Sequence, residues 1–137
     1  MSTNFRNEDW LGRSTQRRVR VTVDMVDRFV ALSGDSSPIH VSDDAARQQG
    51  FERRVVHGML LGSLVSALVG VELPGERGVI QEVQMSFRQP CYVGDEVGIQ
   101  VMVSEFFESV QTMVLKVKIV RTDGVTLATG AVRSGLR

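Results

Sequence analysis

The stretch from Gly58 to Val69, GMLLGSLVSALV, is apolar on every side of a helical wheel. A surface helix keeps one polar face, whereas a helix without one has to be surrounded by protein. The apolar run is broken by Gly62, Ser63 and Ser66 and is too short to span a bilayer. The rest of a 137-residue chain must therefore provide a cover for one central helix. That length fits one domain with a modest core.

The segment after the helix supplies such a cover. Val83, Met85 and Phe87 alternate with Gln84 and Ser86. Val97, Ile99, Val101 and Val103 form a second alternating run, and Met113, Leu115, Val117 and Ile119 a third, opposite Lys116 and Lys118. A last strand is read over 127–133. Pro90, Gly94-Asp95 and Asp123-Gly124 punctuate them, the last as a hairpin signal. Strands with one apolar face form an antiparallel sheet solvated on the other. A wholly buried helix beside a one-faced sheet is accommodated economically when the sheet curls around it. That is the α+β hot-dog arrangement, although other α+β folds share this periodicity.

Upstream, residues 1–16 read as a loose arm on a single domain spanning 1–137. Arg18 to Val23 reads as a short strand, followed by a helix starting and capped near Asp24. Met25, Phe29 and Leu32 share one face of that helix, and Gly34 ends it. In SGDSSPIHVSDD, Pro38 argues for an ordered loop. Ser42 caps a short helix over 43–49, closed by Gly50.

Composition narrows the function. Sixteen basic residues balance sixteen acidic ones, which argues against a general affinity for nucleic acid or anionic membrane. A single cysteine, Cys91, excludes an internal disulfide and suits a reducing compartment. The polar start has no apolar signal segment, so a cytoplasmic location is expected. Two histidines without a cysteine pair make no recognisable metal cluster.

Two segments carry possible chemistry. Gly34-Asp35-Ser36-Ser37-Pro38-Ile39-His40 holds a carboxylate and an imidazole five residues apart in a proline-stiffened stretch. Such a pair orients one water, one group removing its proton while the other relays one. The spacing alone equally permits Asp35 to cap the turn and His40 to fill a gap. In Val55-Val56-His57-Gly58, glycine stands where the buried helix starts, with free N–H groups and a dipole favouring negative charge. An oxyanion site fits there; so does plain close packing. His57 reads as structural, bonding backbone at the helix entrance, and Cys91 as a packed thiol.

Together, GDSSPIH, FERRVVHGMLLGSLVSALVG and SFRQPCYVGDEV resemble, in order and at matching separations, the MaoC-like (R)-specific enoyl-CoA hydratases, whose signature is GDxNPxH. The resemblance runs from about Val26 to Val103. It implies a hot-dog fold, a homodimer or higher homo-oligomer, and reversible hydration of trans-2-enoyl-CoA to (3R)-3-hydroxyacyl-CoA with no metal or organic cofactor. By that resemblance Asp35 and His40 are the catalytic pair and Gly58 polarises the thioester carbonyl. Ser66 and Val69 match positions that border the acyl tail, and Gly62, a small residue on the same helix, would also let a ligand come close. Arg53 and Arg54 are candidates for CoA phosphates. Ser37 stands where the family has asparagine, one hydroxyl replacing an amide, which bears on how the carboxylate or substrate is oriented.

Three further readings remain. One is dehydration of a 3-hydroxyacyl chain on an acyl carrier protein, in fatty acid or polyketide synthesis. Another is a hot-dog thioesterase, disfavoured because residues 58–69 contain no carboxylate. The third is a non-catalytic acyl-thioester binder, favoured only by Ser37. Neither nucleic acid nor membrane is an expected partner.

Overall fold

The computed structural model describes residues 4–137. Five strands, β1 (Ser14–Arg20), β2 (Gly78–Phe87), β3 (Glu96–Phe107), β4 (Thr112–Arg121) and β5 (Thr126–Leu136), form one antiparallel sheet in the order β1-β3-β4-β5-β2. Helix α5 (Gly58–Val71) lies on its inner face and α2 (Val23–Ser33) joins the same core. This is the hot-dog arrangement expected from the alternating runs.

Two of the three alternating runs are buried along one face; in the Val83, Met85, Phe87 run of β2, Val83 and Phe87 stay exposed. Val97, Ile99, Val101 and Val103 of β3 and Met113, Leu115, Val117 and Ile119 of β4 are buried, while Lys116 and Lys118 point outward. They close on Leu60, Leu61, Val65, Leu68 and Val69 of α5. Each such side chain contributes roughly 1.5–3 kcal/mol by leaving water.

Four expectations need correction. The N-terminal arm is not loose: α1 (Asn7–Trp10) docks Trp10 into the core, and β1 starts at Ser14, paired with Met102 of β3. Residues 1–3 of that arm lie outside the described residues. Helix α2 is capped by Thr22, whose hydroxyl accepts the Met25 N–H, so Asp24 lies in the first turn. Leu32 is 83% exposed, because the inner side of α2 is set by Met25, Val26, Phe29 and Val30. Pro38 does not forbid a helix: it opens α3 (Pro38–Val41) at the first position, where a missing N–H costs nothing. The cap at Ser42 of α4 (Asp43–Gln48) and the left-handed Gly34 are as expected.

The central helix is not enclosed by its own chain. Met59, Ser63, Ser66, Ala67 and Gly70 form a bare stripe along α5, with Met59 69% exposed. The edge strand β2 is equally open, with Val79, Val83 and Phe87 exposed. No helix among the described residues is long and apolar enough to cross a membrane.

Candidate active site

The site forms where α3, the Val55 segment and the start of α5 meet. Gly34, at φ 76°, turns the chain out of α2. The Asp35 N–H then donates to Ser33 Oγ at 3.1 Å, and the Ser37 N–H donates back to Asp35 Oδ1 at 3.2 Å. This turn holds the carboxylate, which is about half exposed, and Pro38 leads directly into the helical turn carrying His40. The Ser37 backbone bond, followed by the Ser37 hydroxyl, lowers the Asp35 pKa below the ordinary carboxylate value, so the group is ionised well into acid.

His40 is clamped from two sides. The Val55 N–H donates to the Ile39 carbonyl at 2.9 Å, and His40 Nδ1 bonds the Val55 carbonyl at 2.6 Å. A carbonyl only accepts, so the neutral ring carries its proton on Nδ1 and presents Nε2 as an acceptor. Nε2 lies 3.9 Å from Asp35 Oδ2. That is too long for a direct hydrogen bond and suits a water shared by both groups.

His57, 2% exposed, underlies the pair. Its Nε2 donates to the Asp35 carbonyl at 2.9 Å, and its ring stacks on His40 with centroids 3.8 Å apart and planes inclined by 23°. The structural reading of His57 stands, bonding backbone as expected; its stacking on His40 was not legible. Arg54 also braces the site, with Nε donating to the His40 carbonyl at 2.8 Å and Nη2 pairing with Asp27 at 2.7 Å. No sequence signal marks that role, because the partners lie fourteen and twenty-seven positions away.

Asp35, His40 and His57 bring one donor atom each within 4.8 Å of one another. They fit a metal ion poorly. The imidazole planes are nearly parallel, so an ion in the plane of one ring lies off the plane of the other, and one nitrogen of each ring already bonds a carbonyl.

Gly58 opens α5, and its N-cap, His57, makes no side-chain cap bond. Among the described residues no acceptor takes the Gly58 N–H, as is usual for the first amides of a helix. A Cβ at this position would meet the outer end of the half-exposed Phe87 ring at 2.9–3.1 Å, so an added methyl would require that ring to shift. His40 and Gly58 line one cleft of about 380 Å³, together with Val56, Leu61, Phe87 and Arg88.

The structure thus sets Asp35 and Ser37 beside His40, and His40 shares the cleft with Gly58; Asp35 and Ser37 are not among the residues lining that cleft. The expected acyl-border residues share α5 but differ in exposure: Ser66 is on the bare stripe, Val69 is buried in the core, and Gly62 sits near Met85 of β2. None of the three lines the cleft. Arg53 and Arg54 are engaged within the chain, Arg53 with Asp95 at 3.0 Å and over the Tyr92 ring. Cys91 lines the cleft but is inert, burial pushing its thiol up to about 12.

The chain is similar to several proteins of known name. An (R)-specific enoyl-CoA hydratase of Aeromonas caviae is 37% identical over 120 residues, covering 88% of this chain and 90% of the relative. A mitochondrial 3-hydroxyacyl-[acyl-carrier-protein] dehydratase of Arabidopsis thaliana is 39% identical over 69 residues, covering 50% of this chain and 40% of the relative. The solved structure of an (R)-hydratase from A. caviae superposes with a TM-score of 0.88 at 35% identity, covering 93% of this chain and 96% of the other. The MaoC like domain description matches residues 9–125. On that match and that overlap, the chain belongs to the MaoC-like domain family.

Proposed function

We propose that the protein catalyses reversible addition of water to a trans-2-enoyl thioester, giving the (3R)-3-hydroxyacyl thioester. Asp35 and His40 act as the acid–base pair, and the Gly58 N–H binds the thioester oxygen. One observation carries this reading: Asp35 Oδ2 and His40 Nε2 are both acceptors, 3.9 Å apart. A water donating a hydrogen to each turns its lone pairs outward, toward a substrate in the cleft.

The steps follow. The thioester oxygen takes the Gly58 N–H at the positive end of α5, which drains charge from C3. The water oxygen bonds to C3 as one of its protons passes to the pair, and electrons move onto the carbonyl oxygen as an enolate. Collapse of the enolate takes a proton at C2 from the same side. The Val55 carbonyl supports His40 when it carries the extra proton.

The working unit is a homodimer. The bare stripe on α5 and the exposed Val79 and Val83 on β2 form one apolar patch beside an unpaired strand edge, the combination that pairs with another chain. A second copy there also supplies the missing wall of the cleft beyond Leu61, where the acyl tail must go. A reducing, cytoplasmic setting suits the single buried thiol.

Loss of the conjugated thioester absorbance of crotonyl-CoA and of a longer 2-enoyl-CoA tests the assignment. Asp35→Asn keeps an acceptor for the Ser37 N–H and should lower kcat by about 10²–10⁴-fold. Equal turnover by parent and variant sinks the acid–base role. Turnover only on carrier-protein substrates moves the protein to the dehydratase reading, as in the Arabidopsis relative's name.

A further inference from the structure

A second concavity, about 1150 Å³, lies on the opposite side of the sheet from α5. It crosses all five strands, and Lys116 and Lys118 rise from its middle on β4. These are the only lysines in the chain. The register places Lys118 beside Thr129 of β5, and Thr129 beside Ser86 of β2. Arg88 follows two residues on, its Nε donating to Thr129 Oγ1 at 3.1 Å. Arg88 and Lys118 are thus about two strand spacings apart, roughly 10 Å.

The charges of this trough are unspent. Arg18, Arg20, Arg28, Arg47, Arg53, Arg54 and Arg121 all pair with carboxylates. Among the described residues Arg88, Lys116 and Lys118 pair with none. Glu105 is the one carboxylate lining the trough. A second copy seated face to face would oppose like charges, whereas phosphate oxygens would meet three cations with hydroxyl and amide donors between them.

Arg88 also lines the cleft that holds His40 and Gly58. The two concavities therefore share Arg88, just past the end of β2, so a thioester arm leaving Gly58 toward the outer face would pass its guanidinium. Edge pairing along β2 uses backbone groups and leaves the outward side chains Gln84, Ser86 and Arg88 accessible.

We propose that this outer trough, through Lys116, Lys118 and Arg88, seats the phosphates at the nucleotide end of CoA, an inference that rests on the thioester reading of the cleft. Calorimetry with adenosine 3′,5′-bisphosphate tests it without relying on turnover. Lys116→Ala/Lys118→Ala replaces two exposed side chains and should weaken binding of that probe about tenfold, the loss of charge-assisted contacts at an open site. The KM for crotonyl-CoA should rise by a similar factor, while crotonyl-pantetheine, which lacks the nucleotide, is handled as by the parent. Equal affinity of parent and double variant for the bisphosphate overturns the proposal, as does a KM effect confined to an acyl-carrier-protein substrate. If the bisphosphate binds in a lysine-dependent way but neither protein hydrates crotonyl-CoA, the trough stands and the hydratase reading falls.

Discussion

At the scale of single residues, Ser37 bears on the charge of Asp35. Its N–H and hydroxyl hold Asp35 below the usual carboxylate range. A lowered pKa means the charged form is favoured, so activity carried by the carboxylate persists into acid and is lost only as the pH falls through that lowered value. Ser37→Ala removes the hydroxyl and leaves the backbone bond. The acid limb of kcat/KM should then move to higher pH, with the plateau less affected; an unmoved limb would mean the hydroxyl does not set the titration. The motif itself was readable, because Asp35, Ser37, Pro38 and His40 are neighbours in sequence and the turn is local. The tautomer of His40 was not, since it depends on the Val55 carbonyl fifteen residues away.

At the scale of elements, α5 and β2 depend on each other at one point. The start of α5 approaches the end of β2 closely enough that a methyl group on Gly58 would push against the tip of the Phe87 ring. Gly58→Ala should improve helix propensity slightly yet lower kcat/KM by about 10²-fold, the scale of losing one oxyanion donor. Phe87→Ala in the same chain separates the causes. Recovery in the double variant assigns the loss to the displaced ring; persistent loss assigns it to the blocked oxyanion approach. The strand phases and the start of α5 were legible from period-two and all-apolar patterns. Leu32 misled because helical periodicity predicts a face but not its width. Pro38 misled because its effect depends on its position in a helix, tolerated at the first residue and disruptive inside.

At the scale of the whole molecule, the all-round apolarity of α5 and its bare stripe are one fact. The sequence asks for cover on every side, and the chain provides it on one. Val83, on β2 beside that stripe, should tolerate Glu in a monomer because it is exposed. In the proposed dimer the same carboxylate would be buried unpaired, at a cost of several kcal/mol. Val83→Glu should therefore run as a monomer by light scattering and lose most of its turnover while remaining folded; a dimer retained by this variant would place the interface elsewhere. By itself the sequence determined the strands after the central helix, the one-faced sheet around an apolar helix and the local GDSSPIH turn, all properties of residues close together along the chain. Only the tertiary structure decided the 3.9 Å gap between the two acceptors, the commitment of Arg53 and Arg54 to internal partners, and the burial of Val69 beside an exposed Ser66. Those depend on contacts between distant segments, and patterns along a chain carry period and composition but not distance.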